Sequence, residues 1–126
     1  YIKDFADTAV MAKSAGAEII EINLSCPNVK GEGMVCYSKS HVEKICKRTK
    51  LAIGDTKLIA KIGYFKDSQN RLLEDILVSV DPYISAICAI NSFPAKIYKD
   101  SKKSPAFFFF FRLKSGCRVD YIKCAV

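Results

Sequence analysis

Along residues 1–91 the apolar positions switch between two rhythms. Over residues 4–15 the small and apolar side chains Phe5, Ala9, Ala12 and Ala15 recur at helical spacing, and Gly16 supplies a C-terminal stop. Residues 18–24, EIIEINL, are short and Ile-rich, which predicts a strand of a parallel sheet. After a loop rich in Pro, Asn and Gly, Ser38 is expected to cap a helix with Val42, Ile45 and Thr49 turned inward. The pattern then repeats. Residues 58–65, LIAKIGYF, predict a second strand, and Asp67 or Ser68 is expected to cap a helix carrying Leu72, Leu73, Ile76, Leu77 and Val80. Pro82 ends that helix, and residues 83–91, YISAICAIN, predict a third strand. The order helix, strand, helix, strand, helix, strand, with connections long enough for crossovers, predicts an α/β protein with parallel strands.

Beyond Ser92 the regularity fails. Residues 95–104 are rich in Lys and Ser and read as an exposed loop, and five consecutive phenylalanines follow at 107–111. Such a run reads as a buried strand, because it would aggregate if exposed. The change of texture coincides with a change of charge. The net charge is +7, yet residues 1–92 hold 12 basic and 11 acidic side chains against 8 and 2 in residues 93–126. The excess is thus a basic tail, which argues for a solvated segment and against a nucleic-acid-binding domain. At 126 residues, half of them apolar, the chain amounts to one domain at most. It holds no run of roughly 18 apolar residues, so no membrane association is expected. The six cysteines, at 26, 36, 46, 88, 117 and 124, form no CxxC pair, and His41 has no metal-ligand spacing to any of them. No metal site is expected. Without a secretory signal the thiols are expected to be reduced, in the cytoplasm. Cys46 and Cys88 lie within apolar patterns and read as small core residues.

In parallel α/β folds, ligand chemistry gathers at the carboxyl ends of the strands. The first strand runs into Asn23-Leu24-Ser25-Cys26-Pro27-Asn28, the second holds Lys61 amid apolar residues, and the third ends in Asn91-Ser92. Asn and Ser are also ordinary turn residues. Lys61 demands more, because an ammonium within a central strand needs an anionic or strongly polar partner. Either a charged ligand or an ion pair with Glu21 on the neighbouring strand would serve. Together the three strand ends offer amides, a thiol and a cation, a set suited to a polar, planar, anionic molecule with the thiol as a proton-transferring base.

The segment IIEINLSCPNVKGEG resembles the signature of the cytosolic, class 1 dihydroorotate dehydrogenases, and LIAKIGYF and AINS resemble their later strands. The resemblance covers residues 1–98 and, more loosely, RLKSG at 112–116. It implies a flavin-dependent (β/α)8 TIM barrel, of which this chain would supply three to four βα units of parallel strands, units 4–6 in residues 1–98. Residues 99–126 would form an irregular basic and Phe-rich segment, a degenerate seventh-strand region. The activity implied is oxidation of dihydroorotate to orotate in pyrimidine biosynthesis, with FMN as cofactor. Position by position, Cys26 matches the catalytic base, and Asn23, Asn28, Asn91 and Ser92 match the substrate-binding residues. Asn23, Lys61, Ile90 (by its backbone) and Gly116 match flavin contacts. The class also implies a homodimer.

Two details sort the relatives. The membrane-associated class places Ser at the base position, so Cys26 fits the cytosolic class. The dihydropyrimidine dehydrogenases share NLSCP and a loop like GEGMVCY but show His where this chain has Asn28, which makes a dihydropyrimidine dehydrogenase-like flavoenzyme the enzymatic alternative. A complete barrel needs about 250 residues. The strands carrying the remaining pocket residues, and the late Gly-rich loops for the flavin phosphate, have no counterpart in this sequence. A fragment or degenerate, non-catalytic copy is therefore the competing reading.

Overall fold

A computed structural model describes residues 2–26 and 34–90 in full, and beyond them the backbone of four two-residue strands. The chain divides into two units, Tyr1–Asn91 and Ser92–Val126.

The first unit is built as the hydrophobic rhythm requires. Helix α1 (Ile2–Ser14) leads into strand β1 (Ile19–Asn23), α2 (Lys39–Ile53) connects to β2 (Lys57–Lys61), and α3 (Asn70–Val80) connects to β3 (Ala86–Cys88). The strands form one parallel sheet in the order β1-β2-β3. The register pairs Glu21 with Ile59 and Ile59 with Ala86; one step on, it pairs Asn23 with Lys61 and Lys61 with Cys88. Successive strand side chains point to opposite faces. Ile20, Ile22, Leu58 and Ala60 are accordingly buried, together with Val42, Ile45, Cys46 and Ile53 of α2 and Ile76 and Val80 of α3. Ile19, Glu21 and Asn23 alternate with them and are exposed, as is Lys57, while Ile59 and Lys61 are half-buried. Among the described residues, one face of the sheet is therefore core and the other is a mixed polar and apolar face that no described helix covers. That division matters, because a parallel sheet is normally covered on both faces.

Several boundaries differ from those the pattern predicts, each for a local reason. The second and third strands are shorter, closing at Lys61 and Cys88, because ladder pairing stops before the apolar run does. In α1 the buried positions are Ala6 and Ala9, and Ala15 is exposed beyond the helix. Ser38 does precede α2, but its side chain makes no cap bond; its hydroxyl instead lies 2.7 Å from His41 Nδ1. Neither Asp67 nor Ser68 caps α3. Both sit in a short 3-10 turn (Asp67–Gln69) closed by Gln69 Oε1, which accepts from the Lys66 backbone N–H at 3.0 Å, and Gln69 stands at the head of the helix. Pro82 likewise lies in a 3-10 turn, Asp81–Tyr83, that prolongs α3. The stop expected at Gly16 holds, with φ +97°; Gly54, after α2, plays the same part with φ +60° and was not singled out in the sequence. These are backbone positions that residues with a Cβ rarely adopt. The Lys13 ammonium donates to the Ile53 carbonyl at 2.7 Å, which satisfies an acceptor at the end of α2 and ties α1 to it.

In the second unit, strand β4 (Phe93–Pro94) pairs antiparallel with β7 (Tyr121–Ile122), and β5 (Tyr98–Lys99) with β6 (Ser104–Pro105). The phenylalanine run at 107–111 lies outside the described residues. Among the described residues no helix is long and apolar enough to cross a membrane, and no group of three or more His, Cys, Asp or Glu is placed to hold a metal ion.

Candidate functional site

Because β1, β2 and β3 are parallel, their carboxyl ends emerge along one edge. The sequence places its candidate chemistry at those ends, and the structure assembles part of it.

Strand β1 ends in a built turn. The Asn23 side-chain carbonyl accepts hydrogen bonds from the Ser25 backbone N–H and the Ser25 hydroxyl, both at 3.1 Å. Asn is suited to this turn because its side chain mimics a backbone acceptor. The Leu24 N–H donates to the Lys61 carbonyl at 2.9 Å and so carries pairing with β2 one residue past the strand. Leu24 and Ser25 are buried, which leaves Cys26, half-buried, as the first side chain to leave the fold.

Lys61 ends β2 at the register position between Asn23 and Cys88. Its ammonium lies 3.6 Å from Glu21 Oε1, with both side chains partly exposed. The ion-pair partner expected for a strand lysine is thus present. At that distance and exposure such a pair is worth about 0–1 kcal/mol, too little to immobilise the ammonium. Glu21 also engages Cys88, the corresponding residue of β3. Its carboxylate hydrogen-bonds the Cys88 thiol and, with burial and its own negative charge, pushes that thiol above its ordinary value, while the Lys61 charge pulls the other way. Cys88 is therefore no core residue. It is half-buried, beside an acid and a base, because the register gives it to the same face as Lys61. Its strand is apolar on average, so the sequence signal pointed inward.

The other two described thiols differ. Burial pushes Cys46 up to about 12. Burial also raises Cys36, against hydrogen bonds from the backbone N–H groups of Gly63 and of Cys36 itself. These differences give a measurable order. In peptide-resolved alkylation at mildly alkaline pH, Cys46 should stay unlabelled. Glu21→Gln should accelerate labelling of Cys88 severalfold, because it removes the negative charge, and weakens the charge-assisted hydrogen bond, that hold its thiol protonated.

Of the residues singled out in the sequence, Asn23, Cys26, Lys61 and Ile90 all belong to this one edge, Ile90 two residues beyond the end of β3. Asn28, Asn91, Ser92 and Gly116 lie outside the described residues. Sequence reasoning missed Tyr37 and Gly63. The short 3-10 turn Val35–Tyr37 returns the chain to the site, and the Tyr37 hydroxyl donates to the Tyr64 carbonyl at 2.5 Å. The Tyr37 and Phe65 rings meet edge to face at 5.0 Å, a contact that no spacing in the sequence links.

A groove lies along the free edge of β1, between α1 (Asp4, Phe5, Thr8, Ala9 and Ala12) and the strand from Ile20 to Asn23. Its lining is mainly apolar, with Asp4, Glu21 and Asn23 as its polar members, and it reaches the strand end at Asn23.

No protein-family model matches the chain. Among curated proteins it is similar to dihydroorotate dehydrogenase of Dictyostelium discoideum, with 32% identity over 101 residues. That match takes in 77% of this chain and 27% of the relative, so the chain spans about a quarter of the protein it resembles.

Proposed function

We propose that this chain is part of a flavin-dependent oxidoreductase of the dihydroorotate dehydrogenase family, of the cytosolic class 1 type, and contributes the substrate-facing edge of a (β/α)8 barrel. The observation that carries the reading is the register of Asn23 with Lys61 at the carboxyl end of a parallel sheet, with Cys26 three residues beyond Asn23. The similarity to a dihydroorotate dehydrogenase points to the same chemistry. A sheet face carrying Glu21, Ile59 and Lys61, which no described helix covers, suits the interior of a closed barrel, where such side chains would be enclosed by further strands. In this reading residues 1–98 are βα units 4–6 and residues 99–126 a degenerate seventh-strand region, and the full enzyme is a cytoplasmic homodimer.

The donor set fits the ring of FMN. A mobile ammonium at Lys61 suits an electron-rich ring edge, and Asn23, fixed by its turn, stands beside it in register. FMN, when bound, supplies the hydride acceptor. The chain's own residues supply the rest. Cys26 takes the proton from the carbon beside the substrate carbonyl, and its position directly after a buried Ser25 fixes where that proton is taken. Asn23 and Asn28, with Asn91 and Ser92, hold the pyrimidine ring through amide and hydroxyl hydrogen bonds. Lys61 places positive charge where negative charge develops. Ile90 and Gly116 contact the flavin in this scheme.

Asn28 separates this reading from a dihydropyrimidine dehydrogenase-like enzyme, whose signature has His there. The test is substrate choice by the protein expressed from the complete reading frame that encodes this chain. Dihydroorotate should reduce its flavin and dihydrouracil should not. Preferential reduction by dihydrouracil would move the chain to the alternative, and a protein that takes up no flavin would mark a non-catalytic copy.

A further inference from the structure

The chain leaves β1 through Cys26 and is described again from Met34, and both sides of this excursion are fastened to the segment that follows β2. On the outgoing side, Leu24 hydrogen-bonds the Lys61 carbonyl, and Ser25 packs against Gly63. On the returning side, the Cys36 backbone N–H donates to the Leu24 carbonyl at 2.9 Å, and the Tyr37 hydroxyl donates to the Tyr64 carbonyl. Gly63 lies between the two. A Cβ there would come within 3.3 Å of both Cys36 Sγ and Ser25 Cβ, and 3.5 Å of Met34 Cε, so a side chain at position 63 would press Ser25 and Cys36 apart by a few tenths of an ångström. The Gly63 N–H also reaches the Cys36 sulfur.

We propose that Tyr37 and Gly63 are positioning residues for Cys26, acting as a clamp that holds the base of the Cys26 segment against the exit of β2. The clamp couples the residue that carries the thiol to the strand that carries Lys61. Neither Tyr37 nor Gly63 needs to touch substrate. Their effect passes through Ser25, which is buried immediately before Cys26 and bonded to Asn23. A hydroxyl that donates to a loop carbonyl, and a glycine that admits two side chains, restrict the directions in which Cys26 can move. In an enzyme, a base displaced by about 1 Å loses much of its effect. The proposal rests on the reading of Cys26 as a base, but its test needs neither flavin nor substrate, so the two can fail separately.

The experiment is iodoacetamide labelling of the protein expressed from the complete reading frame that encodes this chain, without added substrate, with rates resolved by peptide mass spectrometry for Cys26, Cys46 and Cys88. Tyr37→Phe keeps the ring and its contact with Phe65 and removes only the hydroxyl. It should raise the Cys26 rate about 3- to 10-fold relative to Cys88, as expected for losing one hydrogen bond that restrains a segment, with Cys46 still protected. Gly63→Ala should do the same. An unchanged Cys26 rate in both single variants would overturn the proposal. So would a rise in Cys26 labelling matched by Cys46, which would signal general loosening.

Discussion

Replacing Cys26 by Ala in the protein expressed from the complete reading frame should slow flavin reduction by dihydroorotate by about 100-fold or more while leaving orotate binding nearly intact. The size follows from the usual share of a positioned general base, and the selectivity from the fact that product binding needs no proton transfer. The structure adds a reason for confining the effect to chemistry. Cys26 is half-buried and follows a turn closed by Asn23 and Ser25, so losing its sulfur leaves the hydrogen bonds of that turn in place. Cys26→Ser should keep part of the activity and need higher pH, because a hydroxyl gives up its proton far less readily than a thiol. Val78→Ala, on the solvent side of α3 and 75% exposed, is the control that should change nothing. Stopped-flow flavin absorbance across pH measures all three. Unchanged reduction in Cys26→Ala would remove the thiol from the mechanism.

The second large effect is on stability. Leu58→Ala should lower the unfolding free energy of the chain by about 2–5 kcal/mol, the range for removing a fully buried leucine and leaving a cavity. Leu58 is fully buried on β2, the central strand, whose core face meets the helices. It pairs in register with Ile20, and its carbonyl accepts from the Ser85 N–H at 2.7 Å, so its neighbours on both sides are held and cannot readily collapse into the space. Against a typical total of about 5–15 kcal/mol, such a loss should be plain in a urea melt as a lower midpoint with an unchanged slope. Leu51→Ala, at a position on α2 that is 75% exposed, should fall within about 0.5 kcal/mol of the parent.

Much of this architecture is legible in the sequence because its forces are local or periodic. The short Ile-rich run of residues 18–24 marks β1, and the spacing of Val42, Ile45 and Thr49 marks the buried side of α2. Gly16 announces the end of α1 because few other residues accept its backbone angle. What escapes is decided by tertiary partners. Ser38 is an ordinary capping residue whose hydroxyl found His41 instead, and Gln69 took the place that Asp67 and Ser68 suggest. Cys88 lies in an apolar run, yet strand register rather than composition chose its neighbours, Glu21 and Lys61.

The candidate site follows the same rule. Asn23, Cys26 and Lys61 could be gathered from the sequence because parallel strands align their ends, and the Glu21–Lys61 pair because the two residues sit on adjacent strands. The contacts of Gly63 with Ser25 and Cys36, and the bond from Tyr37 to Tyr64, join segments 27 or more residues apart along no shared element. Such contacts depend on how the segments at the ends of β1 and β2 pack, and no periodicity encodes that.

One anaerobic measurement tests the assignment most directly. The protein from the complete reading frame is mixed with dihydroorotate, and flavin absorbance is followed while the pyrimidine product is quantified. A bound flavin should bleach on mixing, with one orotate formed for each flavin reduced. A protein that binds no flavin, or one whose flavin is indifferent to dihydroorotate, would contradict the assignment.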